Sequence, residues 1–456
     1  MTDPAPTPVG ARERVVAGIE HTHVLVRPGQ EPTPLADIPA VDNAALAGLL
    51  ERRATGAPDY HAPPIGATLA ALRLAAPDGD AEAGHIRWFP AGVVLRTLIC
   101  DRLEHFLTHD LMSSPVITPA LVQWDERLSE LAGSFRERIY EVRGTGRDDP
   151  MLLRYGADPG FFTLLDDVTA DGAQMPWRWH EQVAGFRRNR SGELNGLQRT
   201  RSFDFFDCHS VCSDAASGMA EYFEVLDAQL SCVDAMQPVD HAVAMTAVAG
   251  DAESITAIQR WSDRSGRAVA LELISRRKHY YRLLHNIYDP RGLRTMHGQL
   301  DDLNGQHWHP RDTGPVTIVH SATGSLERWV LVHLLDGLDA APPSWPDWLA
   351  PVQVRILPVR PEHLAHAQGI ACDLQARGVR TEIDDRDEPV RRRVRDSESR
   401  WIPYVAVVGD EVELAEVRQR GGARLATTGA RLAHRLAADG TAAAPPTYCS
   451  RSPTFA

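Results

Sequence analysis

Two concentrations of arginine stand out in this sequence. The first lies in the run MPWRWHEQVAGFRRNRSGELNGLQRTRSFDFFDCHSVC at 175–212, where cations are interspersed with aromatic rings, a place for chemistry. The second sets Arg386, Arg391, Arg392, Arg393, Arg395 and Arg400 within 15 residues. A guanidinium is planar and always charged, and its fork matches carboxylates and phosphates. The second group can therefore neutralise phosphates locally on a chain whose net charge is −13. Its bland reading is a solvated helix face paired with Asp396 and Glu398. Lys278 is the only lysine; a Schiff-base lysine has to be this one, and the preference for arginine also fits a genome-wide codon bias. Two histidine patterns are weaker. Cys208-His209-x-x-Cys212 has metal-like spacing, yet on a strand the side chain at 208 points away from that at 209. His297, His307 and His309, near Trp308, read as surface histidines of a mobile loop.

The elements that must position these residues follow from pattern. The run at 175–212 predicts two strands joined by a polar, glycine-containing loop at 191–196, and a long helix follows over 214–234. Upstream, an extended GHIRWFP precedes a helix over Val93–His109 and a strand at 115–119. Ala244–His285 mixes helix and strand signals; Val316–His320 reads as a strand and Ser325–Gly337 as a helix. The proline-rich APPSWPDWLAP at 341–351 marks a linker. Beyond it VQVRILPV, a helix around 361–377, VRTEIDD, a helix around 388–400, YVAVVG, EVRQR and a final helix alternate, which implies a small α/β domain. Residues 1–80 form a variable, loosely attached leader rich in proline, alanine and glycine, with one helix near Asn43–Arg53.

Bulk composition narrows the class. At 456 residues the chain is too long for one ordinary core. Its 43% hydrophobic and 24% charged content is that of a soluble globular protein. No stretch approaches the ~20 apolar residues of a membrane span, and the start lacks a hydrophobic signal region. Six scattered cysteines, none in a CxxC pair, fit a reducing compartment, so the expectation is cytoplasmic, without a membrane partner. The acidic balance argues against indiscriminate nucleic-acid binding.

Several blocks together resemble class IIa aminoacyl-tRNA synthetases, the threonyl enzymes in particular. WLAPVQVRILPV, RGVRTEIDDRDE and RWIPYVAVVGDEVE are similar to the anticodon-binding domain over about 80 residues. TIVHSATGSLERWVLVHLL resembles the third class II motif, whose arginine falls on Arg328, with one residue fewer between His320 and Gly324 than the family has. Arg187, Arg199, Phe203, Asp207, His209 and Cys212 fall in register with the second motif, and RWFPAGVVLRTLICDRLEHF with Pro119 resembles the first, dimer-forming one. The resemblance implies an α+β catalytic core, an antiparallel sheet flanked by helices, over 81–340, and an α/β anticodon-binding domain over 352–456. It implies ATP with Mg as cosubstrate, an amino acid such as threonine or a relative, tRNA as acceptor and a homodimer. Arg187 is implied to hold the substrate carboxylate and α-phosphate, Arg199 the nucleotide and Phe203 the adenine, with Arg328 stabilising charge at phosphorus. Asp207, Phe205, Tyr281 and Gln299 are implied to form the amino-acid pocket, and Arg386 and Arg395 to bind tRNA. The family's N-terminal ubiquitin-like and editing domains have no room in this chain.

The pattern also breaks. Threonyl enzymes hold zinc through one cysteine and two histidines; the histidines match His209 and His320, but the cysteine position is Asp158. Two histidines and a carboxylate can hold zinc or a harder metal such as iron. Asn189 stands where the family has a glutamate near the adenine amino group, and Phe205 replaces a glutamine that helps hold threonine, a phenyl ring for a polar contact, which points to a more apolar or larger substrate. The expected function is thus amino-acid activation as an acyl adenylate with transfer to tRNA. Two alternatives are an activator in specialised metabolism with a carrier protein or small molecule as acceptor, and a non-catalytic tRNA-binding or regulatory paralogue.

Overall fold

The computed structural model describes residues 18–451 apart from 39–40, 58–59, 61, 124–127, 129–136, 145–150, 278, 411–415, 427 and 437–446; Lys278 and much of the segment before the last strand therefore lie outside the description. Its contacts divide into two compact units.

The first unit, 1–61, 103–190 and 201–325, is built on a ten-stranded sheet. In chain order its strands are β1 (His21–Arg27), β2 (Gln30–Pro34), β3 (Ser114–Pro115), β4 (Trp177–Phe186), β5 (Ser202–Cys212), β6 (Ala242–Val248), β7 (Val269–Ile274), β8 (Tyr281–Tyr288), β9 (Arg294–Asp301) and β10 (Thr317–Ser325). They lie in the order β2-β1-β7-β6-β8-β9-β10-β5-β4-β3. All pairings are antiparallel except β6 with β7 and the two-residue β3 with β4. Every residue of β5 from Phe205 to Cys212 is buried, so both faces of this strand are covered and its apolar run is explained. The helix Ala215–Met236 starts at a capping box in which Asp214 and Ser217 satisfy each other's backbone N–H. It buries Met219, Tyr222, Leu226 and Val233.

Of the expected leader, residues 21–55 are not loosely attached, while residues 1–17 lie outside the described residues. β1 pairs with β7 through six residues, and the helix Ala44–Thr55 buries Leu46, Leu49 and Leu50 in a cluster with Leu25, Ala244 and Tyr288. Its alternation, HTHVLVR, is masked by the flanking prolines and alanines. The strand expected at 115–119 is shorter, because past Pro115 the chain turns inward and Thr118 donates through its backbone N and Oγ1 to Glu181, at 2.9 and 2.8 Å.

The second unit, 62–102, 191–200 and 326–456, carries a six-stranded mixed sheet. β11 (Val354–Pro358), β12 (Thr381–Ile383), β13 (Tyr404–Val408), β14 (Glu416–Gln419), β15 (Arg424–Ala426) and β16 (Thr447–Tyr448) run in the order β15-β14-β13-β11-β12-β16. β11 is parallel to both β12 and β13, as the strand and helix alternation requires. Helices Leu364–Gln375 and Gly429–Leu436 bury Ala371, Leu374, Leu432 and Ala433 against Val354, Ile356 and Tyr404. The proline-rich 341–351 is no solvated spacer: Trp345, Leu349 and Ala350 are buried, with Trp345 packed 5.1 Å from Trp401. Its tryptophans supply apolar area that outweighs the prolines.

Candidate active site

A cavity of about 230 Å³ opens in the first unit, walled by β5, β8, β9 and β10 and by the turn that starts the helix Asp158–Leu165. Strand pairing fixes its contents. His209 on β5 faces His320 on β10, and His320 faces Gln299 on β9, each as direct cross-strand partners. Between Ala322 and Ser325 β10 carries an extra residue opposite β5, with Gly324 at φ +74° and Thr323 Oγ1 accepting from Phe206 N at 3.1 Å. The segment that is one residue short of the family pattern is thus a β-bulge within the strand.

One end of the cavity is acidic and imidazole-rich. Asp158 Oδ1 lies 3.2 Å from His209 Nε2 and 3.3 Å from His320 Nδ1, and ligand atoms of the three residues fall within 4.8 Å of one another. Tyr280 Oη donates to Asp158 Oδ2 at 3.4 Å, and the Phe161 ring stacks on His209 with centroids 3.9 Å apart. Burial opposes ionisation of Asp158, but bonds from His209 and His320 hold its carboxyl well below the usual carboxylate range. Burial pushes His209 down to about 4, only partly countered by Asp158. His320 is also buried, yet two carboxylates, Asp158 and Asp301, raise it to about 10. Burial raises Asp207 to about 7, reinforced by the charge on Asp158, although Ala157 N donates to its Oδ2 at 3.3 Å.

The donor set fits a divalent cation. His320 Nε2 is directed at Asp301, while Nδ1 is buried without an aligned hydrogen bond and faces Asp158. The contact between Nδ1 and the Asp158 carboxylate calls for a proton or a metal ion between the two atoms, and a divalent cation can take the place of that proton.

The same cavity also holds guanidinium groups. Arg187 donates from Nε to the Tyr155 carbonyl at 3.0 Å and stands 5.0 Å over the Phe203 ring. Burial, then the nearby Arg294, lowers Arg187 to about 10 against the pull of Asp207 and Asp158. Arg294, on β9, lines the same wall and donates to Asn286 Oδ1 at 3.1 Å.

Of the residues expected from sequence, Asp158, Arg187, Phe205, Asp207, Tyr281, Gln299 and His320 line this cavity. His209 stands behind Asp158, and Phe203 packs beside Phe205 at 5.5 Å. Arg199 and Arg328 belong to the second unit: Arg199 Nη2 is 3.7 Å from Glu193, and Arg328 Nη2 donates to the Gln198 carbonyl at 3.3 Å. Arg386 is clamped by Asp384 at 2.6 and 2.8 Å and by Asp396 at 3.1 Å, whereas Arg395 is exposed. Arg393, counted in the same basic group, is buried and donates to three carbonyls, so it ties the helix Val390–Ser399 to the sheet.

Sequence reasoning missed Arg294, Tyr280, His297 and Asp301. His297 is no surface loop residue; it lies on β9 and lines the cavity, and Trp308 is buried beside Phe162. Strand alternation held one unused signal: if Gln299 faces the pocket, Asp301 shares its face.

Known proteins resemble the chain along most of its length. Residues 353–431 match the anticodon binding domain family. Threonine–tRNA ligase from Methanoculleus marisnigri is 31% identical over 416 residues, 86% of this chain and 66% of that protein. The chain is a homologue of the threonine–tRNA ligases. The Methanopyrus kandleri threonine–tRNA ligase is likewise 31% identical, over 357 residues, 73% of this chain and 56% of its own length. The chain thus spans less than two thirds of these relatives. In three dimensions it superposes on the RNA binding domain of threonyl-tRNA synthetase from Cryptosporidium parvum Iowa II with a TM-score of 0.71 at 21% identity, over 83% of this chain and 98% of that one. Giardia lamblia prolyl-tRNA synthetase, solved with prolyl-adenylate, gives 0.63 at 15% identity, over 80% and 73%. The fold is that of class II synthetases, with an α/β anticodon-binding domain at the C-terminal end. Among the described residues no helix is long and apolar enough to cross a membrane.

Proposed function

We propose that this protein activates an amino acid with ATP as an acyl adenylate and transfers the acyl group to tRNA. The observation that carries this reading is the polarity of one cavity. Asp158 and Asp207 line it together with Arg187 and Arg294, so carboxylates and guanidinium groups face one space. A zwitterion activated at its carboxylate fits such a site: carboxylates take the ammonium, and the guanidinium fork holds carboxylate and α-phosphate together against their repulsion. Once they are held in line, attack on phosphorus needs little more than charge stabilisation, which Arg187 supplies directly. Phe203 offers a face to adenine, and Arg199 and Arg328 serve the ATP phosphates, which arrive with Mg. Asp158, His209 and His320 would hold zinc or a harder divalent ion, which would supply a Lewis-acidic position for the substrate's amino group once it has lost its proton, in place of an ammonium contact to Asp158. Phe205, Tyr280, Tyr281 and Leu284 make the pocket more apolar than a threonine side chain requires, so the substrate is a larger or more apolar relative.

The anticodon-binding domain favours tRNA as acceptor, with Arg391 and Arg395 exposed for phosphates. Phe205 and Asp158, where the threonyl pattern breaks, favour the second reading, an activator whose acceptor is a carrier protein or small molecule. A homodimer follows from the resemblance of RWFPAGVVLRTLICDRLEHF with Pro119 to the first class II motif. The six free cysteines suit the cytoplasm.

Amino-acid-dependent ATP–pyrophosphate exchange across a panel of amino acids, with and without added zinc and with Arg187→Ala as the blank, tests the proposal. Exchange with one amino acid, absent in the blank, establishes adenylation and names the substrate. Folded, ATP-binding protein that exchanges with none refutes both enzymatic readings and favours a non-catalytic paralogue. Charging of tRNA against acylation of a carrier protein then separates the acceptors.

A further inference from the structure

His320 is held from two sides, and the second holder is a residue to which nothing above gives a task. Asp301 closes β9 and is fully buried. Its two oxygens are used differently. Oδ1 accepts the backbone N–H groups of Leu303 and Asn304, both at 2.9 Å, which fixes the carboxylate plane. Oδ2 accepts from Asn304 Nδ2 at 2.7 Å and faces His320 Nε2 at 3.2 Å. A carboxylate can only accept, so the ring nitrogen opposite it must carry the proton. We propose that Asp301 is a positioning residue: its carboxylate keeps a proton on His320 Nε2 and thereby presents Nδ1 to Asp158 and His209.

This inference rests on the cation site proposed above and adds its orienting partner. A ring fixed in this way keeps its proton on Nε2 whenever Nδ1 is bare, so a cation that displaces the Nδ1 proton from its contact with Asp158 finds that nitrogen already aimed, and the carboxylate behind the ring raises its basicity. Asp301 touches neither substrate nor metal in this arrangement and acts only through His320.

Asp301→Asn separates this role from bulk. The two backbone donors keep the amide oxygen at the Oδ1 position, so the NH2 takes the place of Oδ2 and points a donor at His320 Nε2. The ring then has to accept there and carry its proton on Nδ1. Ring ¹⁵N spectra of histidine-labelled, metal-free protein, with His320→Gln for assignment, are expected to show a protonated Nε2 in the wild type and a bare Nε2 in Asp301→Asn. Cobalt(II) affinity, read from its d–d absorption, is expected to fall about 10- to 100-fold in Asp301→Asn. Asn304→Ala, which keeps the carboxylate, is expected to change affinity by less than about 3-fold. A bare Nε2 in the wild type overturns the proposal even where Asp301→Asn fails to fold, and so does wild-type cobalt affinity in Asp301→Asn. Should the wild type take up no cobalt, the metal reading falls alone, because the ring proton still reports whether Asp301 positions His320.

Discussion

Gly160 offers a sharp test of how the acidic end of the cavity is held. It lies two residues after Asp158 on the buried face of its helix, pressed against Thr118. A Cβ at this position would meet Thr118 Oγ1 at 2.1 Å and Thr118 Cβ at 2.5 Å, near or more than an ångström inside ordinary contact. Thr118 cannot swing aside without loss, because its N and Oγ1 both donate to Glu181 and its carbonyl accepts from Arg154 at 3.1 Å. Breaking the hydroxyl bond to a charged partner costs about 1.5–3 kcal/mol, and forcing the helix back costs about 1–3 kcal/mol as overpacking. The cheaper route moves the helix, so Gly160→Ala is expected to lose about 1–3 kcal/mol and to shift Asp158 by more than the ~0.5 Å that a ligand set tolerates. Urea unfolding measures the first effect and cobalt(II) titration the second. The companion Gly160→Ala with Thr118→Gly reopens the space and is expected to regain cobalt binding while staying destabilised by the lost hydroxyl bond to Glu181. If Gly160→Ala unfolds at the wild-type urea concentration and binds cobalt as the wild type does, the packing argument is wrong.

Other expectations follow from the same structure. Burial pushes His285 and His333 down to about 3 each, His333 with help from Arg102. The unfolded chain therefore binds two more protons between about pH 6.5 and 3, so this stability is present above pH 6.5 and is lost as pH falls, by up to about 1.4 kcal/mol per pH unit for each ring. Urea stability from pH 7.5 to 4.5 should fall less steeply in His333→Phe, which fills the same slot beside Trp329 and Trp348; equal slopes refute the assignment. Arg391→Ala and Arg395→Ala should each reduce the salt slope of tRNA binding by roughly 1. By contrast, Arg386→Ala should lower thermal stability through the stranded Asp384, and a salt slope unmoved by both exposed variants would remove this helix from the tRNA interface.

What could be read in advance depended on how local the signal was. The hairpin β4–β5 was legible because its polar, glycine-bearing loop sits between two aromatic-rich runs, and the C-terminal alternation of strands and helices was legible for the same reason, as an α/β domain with a mixed or parallel sheet. His209 and His320, 111 positions apart, met only through the family resemblance and then through the pairing of β5 with β10. β1 was lost among prolines and alanines, although its buried Leu25 and Val26 are central to the sheet edge. Histidine spacing near Trp308 misled because it ignored that β9 extends to Asp301. The basic group at 386–400 divides into clamped and exposed arginines only once the carboxylates of β12 and the helix beside it are in place, a tertiary fact that composition does not carry.

Phe203, Phe205, Asp207 and His209 occupy alternate positions of β5 and so share one face, a row that runs from the Phe203 ring to the His209 imidazole with Phe205 and Asp207 lining the cavity between them. Six residues of strand separate the ends by about 20 Å, well beyond the roughly 10 Å within which substitutions usually interfere with one another. Change along this strand is then divisible. A lineage can alter the ring at 203 and the ligand at 209 in either order, each judged on its own merits. Phe205 and Asp207, neighbours on the same face, lack that independence, and a new side-chain preference there demands that both be revised in concert.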